Sequence, residues 1–241
     1  KLWYAGKYAT DGEHAAQRDK VQAAIEPAAR RLAKRLSIER SSLPEFCVGV
    51  ADKPPGFDAV AALTGSDPRV PALTVPIVVY SESLGLGRTD VETVLVHELV
   101  HLLVESKLGM RAESLPYWVE EGLAMALAGE LEDSAGARLE QRWIADSGAF
   151  LAPDYWQRHP LELAATDSGI VPADAFLLVL KLAEAASGRG ADIFVQRITA
   201  GEELEAILRD LLGLGLSEYE EAARARALEY LEGLRAASLR S

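Results

Sequence analysis

From residue 94 to residue 104 every position is aliphatic except His97, Glu98 and His101. No polar face breaks this run at any helical phase, so the pattern predicts a helix packed on all sides in a core. Thr89, Asp90, Val91 and Glu92 read as a capping box, with Thr89 as N-cap and Glu92 at N3, and Gly109 suits the left-handed position after a helix end. Upstream, Val21, Ile25, Ala28, Leu32 and Leu36 recur at helical spacing and predict a helix over about 12–38, with Pro27 placed to kink or split it. Phe46 to Val50 reads as a strand bounded by Pro44 and by Pro54, Pro55 and Gly56. Residues 57–63 read as a short helix, and residues 73–80 as a second strand. Pro76 inside that strand assigns it to a sheet edge. Residues 1–12 show no period and read as an irregular arm.

Downstream, Pro116 opens a predicted helix over 117–128, and Gly129 closes it. The remainder is rich in alanine and leucine. Helices are expected over 132–146, 160–166, 172–187, 191–199, 202–212 and 217–236, with Pro172 at one start and a capping box from Ser217 to Glu220 at another. The fold class is therefore α+β and predominantly helical. A mixed front half, 1–130, carries a small edge-stranded sheet, and a helical back half, 131–241, completes a single unit with a soft boundary.

Composition changes this picture little. The 241 residues suffice for a sizeable core, and 49% hydrophobic with 26% charged is ordinary for a globular chain. A net charge of -12 argues against nucleic acid as a partner, because a phosphate-backbone binder needs a basic surface. The basic run Arg30, Arg31, Lys34 and Arg35 reads as a solvated helix face. Cys47 is the single cysteine, so neither an intrachain disulfide nor a cysteine-based metal site can form. No run of apolar residues is long enough for a membrane span. The numbering begins at Lys1 rather than methionine, which leans the expectation toward a trimmed chain that is extracytoplasmic or membrane-tethered.

Two imidazoles and a carboxylate inside an apolar helix need partners, since unpaired buried polar groups cost several kcal/mol. Residues four apart on a helix lie about 40° apart, so His97 and His101 point the same way and can reach one ion. Glu98 is turned by roughly 100° from His97. It flanks the ion and can take the proton of a water that the ion activates, then pass it to a leaving amine. His97 to His101 thus reads as the H-E-x-x-H zinc motif. A third protein ligand is needed, and the helix from Pro116 supplies two adjacent acids, Glu120 and Glu121.

The pairing of H-E-x-x-H with the later Trp118, Glu121, Gly122 and Ala124, in the pattern W-x-x-E-G-x-A, resembles the gluzincin metallopeptidases. The likeness is to small bacterial catalytic domains of the thermolysin and aminopeptidase-N type. It covers residues 40–130 well and the helical tail more loosely. It implies a zincin-like fold, one Zn2+ ion bound by His97, His101 and Glu121, and Glu98 as general base. Nineteen residues separate His101 from Glu121, a gap of the size the resemblance implies. The implied activity is hydrolysis of peptide bonds in a peptide or protein substrate, as an endopeptidase, with the substrate lying along residues 75–80. Three features depart from the family. The G-x-M-E-N segment of its aminopeptidases is absent before His97. Met125 stands where thermolysin-like enzymes carry an aspartate that orients the first histidine. Near Pro172, where a tyrosine that stabilises the oxyanion is expected, stand Val171 and Phe176, which leaves Tyr155 and His159 as the donors in reach. These departures motivate an alternative expectation, a catalytically weak or inactive zincin domain that serves as a protein-binding module.

Overall fold

The structure, a computed structural model, describes residues 2–4, 15–51, 61–63, 77–80, 90–109, 111, 115–129, 180 and 190–238. It consists of two compact units, Lys1–Ser106 and Lys107–Ser241. That division falls inside the histidine helix, upstream of the break near residue 130 that composition suggests. The described residues are predominantly helical with one small sheet, which is the expected α+β class.

In the first unit, Val48, Gly49, Val50 and Ala51 have too little polar character for a solvated face. They form a strand, β2 (Val48–Ala51), that is buried at every position. It pairs in parallel with β1 (Leu2–Tyr4) on one side and with β4 (Ile77–Tyr80) on the other. β4 is likewise buried throughout, as parallel strands covered on both faces must be. β3 (Ala61–Leu63) closes the sheet antiparallel to β4, in the order β1-β2-β4-β3.

Two expectations are corrected here. Residues 61–63 are a strand rather than the end of a short helix. The pairs Ala61 with Val79, Ala62 with Val78 and Leu63 with Ile77 override the helical preference of two alanines. β4 is an inner strand rather than an edge. β4 itself contains no proline, and the Ile77 N–H donates to the Cys47 carbonyl at 3.3 Å. Among the described strands β1 and β3 are outermost.

Two helices complete this unit. α1 (Ala15–Leu36) buries Val21, Ala28, Leu32 and Leu36 of the stripe its spacing predicts, while Ile25 is only half-buried. It runs unbroken through Pro27, which is exposed. α2 (Val91–Leu108) carries the histidines. Its cap is Asp90 rather than Thr89. The Asp90 carboxylate accepts from the Glu92 N–H, the Thr93 N–H and the Thr93 hydroxyl, the last at 2.8 Å. Such a cap contributes about 1 kcal/mol. Arg31 of α1 donates to the Thr93 hydroxyl at 3.2 Å and lies 3.5 Å from the Glu92 carboxylate, which ties α1 to the start of α2.

In the second unit, α3 (Tyr117–Ala128) starts after Pro116 and ends at Gly129, whose φ of 70° is the left-handed conformation expected of it. α4 (Ala191–Thr199), α5 (Leu204–Leu212) and α6 (Leu216–Ser238) follow, close to their predicted ranges. The cap of α6 is displaced from its predicted place. Glu218 reaches back, and its carboxylate accepts the Gly215 N–H at 2.7 Å. The expected helices over 132–146, 160–166 and 172–187 lie outside the described residues, apart from Leu180, which is helical.

Candidate metal centre

α2 sets the first part of the site. Its aliphatic residues bury nearly every face, including Val94, Leu95, Val96, Leu99, Val100, Leu103 and Val104. Against that packing the two histidines stay half-buried. One helical turn separates them, and their Nε2 atoms stand 3.1 Å apart with ring centroids at 4.9 Å. Two nitrogens each about 2.0–2.1 Å from one tetrahedral ion stand roughly 3.3 Å apart, so the observed spacing suits two ligands of one metal. A single N–H to N hydrogen bond between neutral rings would fit it as well.

The carboxylate adds what a bond between two rings does not need. One ligand atom each of His97, His101 and Glu121 all lie within 4.8 Å of one another, so these three side chains form a possible metal site. Glu121 sits in the second turn of α3, half-buried, followed by the buried Gly122. Glu120, its neighbour, is not part of this cluster. The donor set of two imidazoles and one carboxylate suits a first-row divalent ion and leaves a fourth tetrahedral position to solvent or substrate.

Among the described residues Glu98 is the one charged residue that is buried, at 8% exposure, and it immediately follows His97. Its burial keeps it from acting as a solvated surface acid. One turn beyond His101, Glu105 reaches solvent. Partial desolvation nevertheless holds its carboxyl above the ordinary carboxylate range, with the His101 ring pulling the opposite way.

Met125, one turn after Glu121, is buried in the helix core, so no carboxylate stands at that position to orient His97. Trp118 is a packing residue, as expected. It is 1% exposed and stacks on Tyr219 of α6. Tyr219 escapes a reading of the sequence, because nothing local marks a tyrosine in a charged helix as the partner of a distant tryptophan. Tyr155, His159 and His14 lie outside the described residues. Cys47 is half-buried beside β2 rather than sealed in the core.

No family model, curated protein or solved structure compared with this chain matches it.

Proposed function

We propose that this chain is a zinc-dependent hydrolase of peptide bonds, of gluzincin type and acting as an endopeptidase. The observation that carries the reading is the cluster of His97, His101 and Glu121, with the buried Glu98 next to the first histidine. The motif pair in the sequence points to the same residues.

In this reading His97, His101 and Glu121 would hold a zinc ion. Zinc in such a site supplies Lewis acidity, which makes a water acidic near neutral pH and polarises a substrate carbonyl. Glu98 then does the proton work. Its carboxylate accepts the proton of the attacking water, and the same oxygen delivers it to the nitrogen of the breaking amide. One water is consumed, the C–N bond breaks, and a carboxylic acid and an amine leave. The aliphatic surroundings of Glu98 keep other water away, so the proton stays with the reacting groups. An extended substrate would pair with an outermost strand. β3, which lies beside β4, is the strand proposed for this, in place of residues 75–80.

A second reading is favoured by Met125. A buried methionine stands there where the resemblance implies an aspartate, a departure that points to a weak or inactive zincin domain used to bind protein. One experiment separates the two. Wild type and Glu98→Gln are loaded with zinc and incubated with a panel of unfolded polypeptides. The peptidase reading expects stoichiometric zinc in both proteins and a rate loss of at least about 10²-fold in the variant. Equal turnover by the variant would overturn the role of Glu98. Zinc without cleavage by wild type would establish the binding module.

A further inference from the structure

The rings of Trp118 and Tyr219 stack nearly parallel, with centroids 5.2 Å apart and planes 12° from each other. Both side chains are fully buried, and they are among the largest that are. Trp118 lies on α3 three residues before Glu121, and Tyr219 lies in the first turn of α6. Burial holds the Tyr219 phenol well above its ordinary range.

α3 is short, at 12 residues, and it must present one carboxylate accurately. A helix with side chains has a radius of about 5–6 Å, so turning it by roughly 20° about its axis carries a side-chain tip by about 2 Å. Metal–ligand distances tolerate about 0.2 Å. The close-packed aliphatic neighbours of α3 already oppose such a turn. The stack of two large, fully buried rings adds a preferred mutual geometry that aliphatic side chains lack.

We propose that Tyr219 is a positioning residue for the metal site. By clamping Trp118 it fixes the rotation of α3 and thereby the placement of the Glu121 carboxylate. The inference rests on the reading that Glu121 binds the metal, but not on any hydrolytic activity. It assigns to the C-terminal helix a part in metal affinity that no ligand motif reveals.

The test is the zinc affinity of the full chain, measured by competition with a chelating dye. The absorption spectrum of the cobalt-loaded protein serves as a second readout of the coordination sphere. Tyr219→Phe keeps the ring and is expected to bind as wild type does. Tyr219→Leu loses the ring and is expected to bind zinc about ten-fold or more weakly and to shift the cobalt spectrum, on the scale seen when a ligand loses its support. Ile207→Ala is the control, a buried change in α5 that destabilises the same unit and leaves both rings in place. It is expected to leave both readouts unchanged. If Tyr219→Leu does not fold by circular dichroism, Trp118→Phe is read in its place, with the same direction expected. Wild-type affinity in the folded ring-loss variant overturns the proposal. So does an equal loss in Ile207→Ala, and so does a wild-type chain that binds no zinc. The expected pattern in a protein that cleaves nothing supports the positioning role and sinks the peptidase reading instead.

Discussion

Glu120 and Glu121 are adjacent, chemically identical and both half-buried, yet only Glu121 joins the histidines. Neighbours on a helix diverge by about 100°, so one position decides whether a carboxylate meets the site or leaves it. Glu121→Gln is expected to weaken zinc binding by more than the roughly 10–100-fold that loss of an outer partner costs. Glu120→Gln is expected to bind as wild type does. Calorimetric titration with zinc checks both, and the reverse order would move the ligand to Glu120. The two histidines and Glu98 are legible from sequence for a local reason. Their relation is set by one helix, whose periodicity any reader can apply. Met125 is equally legible as a departure, since its register relative to Glu121 follows from the same helix.

At the scale of elements, caps and edges proved harder to read than helices. Thr89 and Asp90 are both good capping residues, and the chain used the one whose carboxylate can take three donors at once. Charge placement between helices was not visible at all. Arg197, near the end of α4, donates through Nε to Glu202 at 2.7 Å and through Nη2 to its other oxygen, and it reaches Asp210 of α5 at 2.5 Å. These bonds, the hydrogen bond to Arg197 first, hold the Glu202 carboxyl below its ordinary value of 4.5. A carboxyl whose folded value is depressed contributes stability above the unfolded value, and that stability is lost as pH falls through the folded one. Arg197→Met is therefore expected to melt lower than wild type at pH 7, by a modest amount because Glu202 is only half-buried and solvent screens the pair. The gap should close as pH drops below 4.5 and onward through the lower folded value. Thermal melts across this pH series check it, and a gap that persists in acid would assign the loss to packing rather than charge.

At the scale of the whole molecule, metal and stability are linked. A ligand that binds only the folded chain stabilises it, by about 2.7 kcal/mol at a hundred times its Kd. For a chain of this size that is a rise in melting temperature of roughly 5–10 °C. Zinc is expected to produce such a rise, and a chelator to reverse it. A melting curve indifferent to both would argue against a site that uses all three side chains. Among the described residues no helix is long and apolar enough to cross a membrane, in line with the apolar runs of the sequence.

What the sequence determined by itself is what one helix or one turn encodes. The stripe on α1, the all-round apolar character of α2, the bounds of α3 between Pro116 and Gly129, and the shared face of His97 and His101 all rest on short-range geometry. The tertiary structure decided what depends on distant pairing. It made residues 61–63 a strand, because β4 offered a ladder to pair with. It moved β4 from the edge to the inside, because β2 and β3 flank it on either side. It brought the Glu121 carboxylate within reach of two imidazoles, and it set Tyr219 against Trp118. Contacts between residues far apart in sequence leave no periodic trace. A chain therefore announces its ligands through local pattern, while the packing that aims them shows only once it has folded.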